Sequence, residues 1–182
     1  MRPHALRHAG GAAERSMSDD ARPDALEAAL EASRRNSGLR VDREGRFWHQ
    51  GTLIAHPRIQ AVLAAGVARH ATTGEYIVCI GQEWAYLEVD DAPLVVLGLD
   101  DVDGTAYLRL SDGHRERLDP ARLWLGAADV PYASTRGDSM PARFSRTAFQ
   151  VLARWLELGE DGVVRLHLEG TCHVLRREVP CP

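Results

Sequence analysis

Short strand-like segments follow one another through the middle of the chain with only tight turns between them. They cover residues 75–80, 82–89, 94–99, 105–110 and 115–118, with Asp103-Gly104 and Asp112-Gly113 among the turns. Turns of this kind join antiparallel strands, whereas parallel strands need crossover connections of a dozen or more residues. The sequence therefore predicts antiparallel sheets and argues against a doubly wound parallel fold.

Two amphipathic helices are predicted, one on each side of this strand-rich region. The first is predicted over residues 57–70 and carries an apolar stripe that includes Ile59, Val62 and Leu63. The second begins at Ser145, a residue type that is favourable at a helix N-cap. Both stripes have the spacing of a helix that covers a sheet with one face.

The two helices belong to an apparent internal repeat. A shift of 89 residues places Val62-Leu63-Ala64 on Val151-Leu152-Ala153 and Gly81 on Gly170. In both copies the order is helix, turn, strand, glycine, strand. We therefore predict an α+β fold with two small antiparallel β-sheet units, each with one packed amphipathic helix, related by an internal repeat.

Three segments are predicted along the chain. Residues 1–38 form an N-terminal extension that is largely disordered and contains a short helix near Pro23. Within it, residues 1–16 are expected to be dispensable because they offer little apolar surface. Residues 39–90 form the first helix-plus-sheet unit, and residues 91–182 form the second.

The basic residues are all of one type, because the chain has 22 arginines and no lysine. Schiff-base chemistry, a pyridoxal phosphate anchor and a Walker A phosphate loop all need a lysine and are excluded. The formal charge of −4 argues against sequence-independent binding to nucleic acid, which requires clustered cations. We expect no cofactor and no nucleic-acid partner.

Cysteine is sparse, and Cys79, Cys172 and Cys181 lie too far apart for a zinc motif or a disulfide framework. We expect Cys79 and Cys172 to be reduced core residues, and we expect no metal site. No run approaches the roughly 20 apolar residues of a membrane span, and the start of the chain lacks the apolar core of a signal peptide. These patterns predict a cytoplasmic protein without a membrane partner.

Two features on the first predicted unit have the chemistry of a binding site. His56 and Arg58 stand at a helix start, where backbone N–H groups and the helix dipole attract anions. Strand alternation places Glu83 on the more apolar face of its strand, where a carboxylate needs a cation or hydrogen-bond donors.

A cluster of arginines precedes the second helix, in the repeat position that matches the first helix start. We expect these arginines to converge on one anionic group, because the planar guanidinium suits carboxylates and phosphates. That group is either internal, with Glu83 or Asp91 as candidates, or part of a ligand or partner. The predicted ligand-binding residues are His56, Arg58, Glu83, Arg136, Arg143 and Arg146.

Five blocks of the sequence together resemble the bacterial DUF1285 family, and they occur within residues 39–175. In order they are residues 41–48, His56-Pro57-Arg58, the stretch from Glu83-Trp84 to Pro93, Pro131-Tyr132 with Arg136, and residues 142–146. The resemblance implies a small two-domain α+β fold with repeated motifs and no established activity. It also implies a role in signal transduction through ligand or protein binding.

The favoured functional hypothesis is a non-enzymatic ligand- or protein-binding module with a signalling or regulatory role, which binds an anionic group through its arginines. Its partner would be an anionic small molecule or a protein. One alternative is a small acid–base or hydrolytic enzyme that uses His56 and Glu83, which would need both groups within hydrogen-bond reach in a pocket. The other is a structural interaction protein in which the arginines are internal clamps.

Overall fold

The structure is a computed structural model, and it describes residues 21–177. The chain divides into a unit that ends at Ser33 and a unit that begins at Arg34. Helix α1 (Ala21–Arg35) contains the described part of the first unit, and it is the short helix predicted near Pro23. The expected disorder of residues 1–16 lies outside the described residues.

The unit that begins at Arg34 contains two halves separated by an insert. The first half comprises β1 (Leu39–Val41), β2 (Phe47–His49), β3 (Thr52–Leu53), α2 (Pro57–Ala65), β4 (Val67–Arg69), β5 (Tyr76–Ile80), β6 (Glu83–Tyr86) and β7 (Glu88–Val89). The insert comprises β8 (Leu94–Val102), β9 (Thr105–Leu110) and β10 (Arg115–Arg117). The second half comprises β11 (Leu123–Leu125), β12 (Pro131–Thr135), β13 (Met140–Phe144), α3 (Arg146–Leu152), β14 (Leu156–Leu158), β15 (Val164–Leu168), β16 (Thr171–Val174) and β17 (Arg176–Arg177).

The two halves have the same topology. The first half forms a sheet in the order β3-β2-β1-β7, and β13-β12-β11-β17 have the same order in the second half. Strand β1 pairs parallel to β7, as β11 does with β17. Each half adds a three-stranded antiparallel sheet, β4-β5-β6 or β14-β15-β16. The predicted α+β fold with an internal repeat is confirmed, and the repeat begins earlier than the sequence indicated, at β1.

The insert extends the larger sheet of the second half. Strand β8 pairs parallel to β13 and antiparallel to β9, which gives a seven-stranded sheet in the order β10-β9-β8-β13-β12-β11-β17. Fully buried side chains come from both halves and from the insert, as Val41, Leu94 and Leu152 show. They belong to one apolar core, and its burial is the main force that holds the halves together.

Helix α2 is shorter than the sequence predicted. It ends at Ala65, and Gly66 follows because a Cβ atom there would lie 2.3 Å from the carbonyl oxygen of Cys79 on β5. The main chain of Gly66 accepts a hydrogen bond from the Cys79 amide at 2.8 Å. This close approach turns the chain directly into β4 at Val67.

The apolar stripe of α2 is only partly buried. Leu63 is 5% exposed and packs into the core, but Ile59 is 49% and Val62 is 51% exposed. The prediction that all three residues face the core is therefore wrong for Ile59 and Val62. Within residues 21–177, the core covers only the side of α2 that carries Leu63 and Ala64.

The described cysteines are free, but they are less buried than predicted. Cys79 is half-buried, whereas Cys172 is exposed because it pairs with His167 on the outward face of the β15–β16 ladder. Cys181 lies outside the described residues. In residues 21–177, no group of His, Cys, Asp and Glu side chains is arranged to hold a metal ion. In the same range, no helix has both the length and the apolar character needed to cross a bilayer.

Candidate functional site

Arg143 on β13 pairs with a carboxylate of the protein itself. Its Nε lies 2.8 Å from Oδ2 of Asp91, an ion pair whose angle falls outside hydrogen-bond geometry. The hydroxyl of Tyr132 donates to Asp91 at 2.9 Å, and the pKa of Tyr132 is raised by burial and by this carboxylate. The internal anion predicted for the arginine cluster is therefore Asp91 in the case of Arg143.

Arg136 has a different internal partner. Its Nε donates to Oδ2 of Asp112 at 3.0 Å, and its Nη2 contacts the same oxygen. Its Nη1 donates to the main-chain carbonyl of Val67 at 2.7 Å. Because the side chain of Asp112 is fully buried, Arg136 supplies the charge that this carboxylate needs while also joining the insert to β4.

The other predicted site residues lie on the surface and apart from these clamps. His56 caps α2, since its Nδ1 accepts the amide of Arg58 at 3.2 Å, and both side chains are exposed. Arg146 is exposed at the start of α3. In residues 21–177, no carboxylate contacts the side chain of His56, Arg58 or Arg146. The predicted convergence of all the cations on one anion is not what the structure shows.

Glu83 is also exposed, so the prediction that it lies on an apolar face and needs a cation or hydrogen-bond donors is wrong. It is the first residue of β6 and pairs with Ile80, which is itself 50% exposed at the end of the hairpin. Strand alternation assigned Glu83 to the apolar face, but the core does not reach this end of the sheet. Among the described residues, Glu83 has no contact with His56, so the pair needed for acid–base catalysis is not formed.

The N-caps of α2 and α3 occupy equivalent positions 89 residues apart, but their surroundings differ. In the second half, the amide of Ser145 donates to the carbonyl of Val96 on β8 at 3.0 Å, and its hydroxyl lies 3.4 Å from the carbonyl of Leu97. In the first half, β3 is the edge of its sheet in the part of the chain that the structure describes. Among residues 21–177, no strand therefore lies beside the equivalent N-cap, His56.

The uncovered surface of α2 carries Ile59 and Val62, which together form the α2 apolar face. Their exposed fractions are 49% and 51%. The repeat-equivalent residue of Ile59 is Ala148, which is completely buried.

Two clefts formed by residues 21–177 are lined by charges that already pair with each other. One, of about 430 Å³, is flanked by Arg35, which donates to both oxygens of Glu75 at 3.1 and 3.0 Å. The other, of about 590 Å³, contains Arg117, whose Nη2 lies 2.6 Å from the carboxylate of Glu169. Neither cleft offers the free cations expected of an anion site.

Comparisons with known proteins bear on the fold. No family model matches the chain, and no curated protein matches it. A DUF1285 family protein from Silicibacter pomeroyi DSS-3 has a similar structure, with a TM-score of 0.61 and 22% sequence identity over 77% of this chain and 80% of that one. A DUF1285 family protein from Shewanella baltica OS155 gives a TM-score of 0.52 and 16% identity over 65% of this chain and 91% of that one. The chain therefore has the fold of these DUF1285 family proteins.

Proposed function

We propose that the chain is a non-enzymatic binding module that recognises an acidic group at the start of α2. The observation that supports this most is that the cations at the start of α2 are not neutralised by a carboxylate of the described residues, whereas the clamp arginines are. Arg143 in the second half contacts Asp91, whereas His56 and Arg58 in the first half contact no carboxylate within residues 21–177. The regulatory role implied by the family resemblance, exercised in the cytoplasm, is part of the same proposal.

The electrostatics of this region favour an external anion. The α2 N-terminus carries the positive end of the helix dipole, and its first turn contains no acidic residue. The positive charge of Arg58 therefore lies beside the positive end of the helix dipole, and no carboxylate of the described residues compensates for it. A bound carboxylate or phosphate would remove this repulsion and could accept two hydrogen bonds from the guanidinium.

The structural alternative, in which arginines are internal clamps, describes Arg136 and Arg143. Both guanidinium groups connect elements that are distant in sequence, and both already have an anion. This role and the proposed binding role concern different arginines. The two can therefore be tested separately in one chain.

The test is a thermal-shift titration of the full chain with a hexaglutamate peptide and with inorganic phosphate. A ligand that binds only the folded state raises the Tm in a concentration-dependent way. We expect Arg58→Glu to abolish the shift. The matched control is Arg154→Glu, because Arg154 is also an exposed helix-end arginine, and this variant should keep the shift. A shift of equal size in both variants, or none with the wild type, would contradict the proposal.

A further inference from the structure

We infer that the α2 apolar face and the outer edge of β3 bind an extended apolar segment of a partner protein, added as a strand parallel to β3. This inference rests on the proposed function, because it names the kind of partner whose acidic group would reach Arg58. In the internal repeat, the second half shows what covers the surface equivalent to the α2 apolar face.

The second half carries its own occupant for this position. Strand β8 pairs parallel to β13, with Ala142 opposite Leu94 and Phe144 opposite Val96. It also packs against α3, the helix equivalent to α2. The covering segment is thus an extended run of apolar residues, Leu94-Val95-Val96, whose backbone completes the sheet.

The first half has the same receptor geometry without that occupant. Strand β3 corresponds to β13 in strand order, and its outer edge is unpaired in residues 21–177. The main-chain N–H of His56 corresponds to that of Ser145, which donates to Val96 in the second half. Unlike that group, the N–H of His56 has no acceptor among the described residues. A strand placed parallel to β3 would supply the missing carbonyl.

The side chains differ between the halves in the way expected of a surface that receives a separate chain. The position of Ala148, which is completely buried on the helix that packs against β8, is taken by Ile59 in the first half. The larger side chain of Ile59 offers apolar area to a partner, and burying that area would stabilise a complex by the hydrophobic effect. Main-chain pairing would supply affinity and the apolar contacts would supply specificity, as in other cases of strand addition.

Charge defines the remaining feature of the partner. In the second half, Ser145 at the start of α3 contacts the carbonyls of Val96 and Leu97, at the end of the β8–β13 pairing. A strand added parallel to β3 would likewise reach the α2 N-terminus at the end of its apolar residues. The exposed Arg58 lies at this point in the first half. The partner segment is therefore apolar and followed by acidic residues, which is the pattern of β8 itself through Asp100-Asp101.

The chain thus supplies its own probe, a ten-residue peptide that copies residues 92–101. Titration of the fluorescently labelled peptide with the full chain should show saturable one-to-one binding. We expect Ile59→Glu to weaken binding at least tenfold with no loss of the folded circular dichroism spectrum. The matched control is Val102→Glu, which also changes an exposed apolar residue (41% exposed) but lies in the insert and should leave binding unchanged.

Two results would overturn the inference. One is a peptide that does not bind, or that binds wild type and Ile59→Glu equally. The other is a chain that sediments as a dimer and is made monomeric by Ile59→Glu, because the occupant would then be a second copy.

A peptide with Asn-Asn in place of the terminal Asp-Asp separates this inference from the proposed function. If this neutral peptide and the acidic one bind equally, and Arg58→Glu affects neither, the strand site stands and the acidic recognition fails. If hexaglutamate binds in an Arg58-dependent manner but the strand peptide does not, the proposed function stands and the strand site fails.

Discussion

Arg143 and Asp91 form a contact between β13 and the segment that leads into β8, with Nε and Oδ2 2.8 Å apart. The same carboxylate accepts the hydroxyl of Tyr132, so one aspartate joins three elements. Its neighbour Asp90 pairs with Arg40 on β1, at 2.5 Å. The junction between the first half and the insert is therefore fixed to both sheets by consecutive carboxylates.

Reversing the charge of Arg143 should destabilise the fold. The side chains of Arg143 and Asp91 are only 23% and 29% exposed, so a glutamate at position 143 would place two carboxylates together in a poorly solvated site. We expect Arg143→Glu to lower the free energy of unfolding by about 2–4 kcal/mol, somewhat less than for a fully buried pair. Urea denaturation measures this. The control, Arg146→Glu at an exposed position, should cost less than about 0.5 kcal/mol, and similar losses in both variants would show that the ion pair does not stabilise the fold.

The acid sensitivity of the fold should depend on Asp42. Burial alone would raise the pKa of Asp42, but hydrogen bonds from Arg46 and Trp48 outweigh it and hold the pKa below its ordinary value. Because the pKa of Asp42 is lower in the folded chain than in the unfolded chain, the folded chain binds fewer protons. The stability that ionised Asp42 contributes is therefore present above the unfolded pKa of about 4, and it is lost as the pH falls through the folded pKa.

In urea denaturation between pH 6 and pH 2.5, Asp42→Asn should therefore be less stable than wild type at pH 6. The difference between the two proteins should shrink as the pH falls. A constant difference across this range would show that the lowered pKa of Asp42 does not couple protonation to folding.

Gly66 should tolerate no side chain, for a reason of space and not of backbone conformation. Its φ of −82° is open to any residue, but a Cβ atom would lie 2.3 Å from the carbonyl oxygen of Cys79. We expect Gly66→Ala to cost about 3 kcal/mol, as overpacking against main chain does. Gly81 is the opposite case, with a φ of +64° and nothing within 4 Å of the added atom, so Gly81→Ala should cost about 1 kcal/mol. Thermal unfolding of the two variants compares them, and equal losses would refute the steric explanation.

The two sides of α2 should respond differently to truncation. Leu63 is 5% exposed, so Leu63→Ala should create a cavity and cost about 2–5 kcal/mol. Ile59 is 49% exposed, so Ile59→Ala should cost less than about 1 kcal/mol. Chemical denaturation gives both values. If Ile59→Ala were as costly as Leu63→Ala, the α2 apolar face would be covered in solution.

Much of the local structure could be predicted from the sequence because it depends on neighbouring residues. Ser145 was predicted as an N-cap and its hydroxyl accepts the amide of Ala148 at 3.1 Å. Turns at Asp103-Gly104 and Asp112-Gly113 connect adjacent strands of the insert, as expected. The shift of 89 residues revealed the repeat because both helices and the hairpins that follow them kept their order.

The pairing of charges could not be predicted, because it depends on elements that are distant in sequence. Arg136 takes its carboxylate from Asp112, 24 residues earlier and in a different hairpin, and nothing in the local pattern distinguishes it from Arg146. The predicted cluster of arginines was therefore correct as a set of sequence neighbours but wrong as one site. Burial separates its members, since a buried carboxylate such as Asp112 must be paired whereas an exposed guanidinium remains hydrated.

The sequence by itself determined the order of strands and turns, the positions of the helix starts and the existence of a repeat, since all three follow from short-range backbone and side-chain preferences. The tertiary structure decided which repeat is covered. The apolar stripes of α2 and α3 have the same period, yet β8 packs on α3 and leaves Ile59 and Val62 of α2 exposed. Periodicity specifies the direction in which side chains point, but burial also requires a second element on that side, and the single insert of this chain covers only one of the two equivalent surfaces.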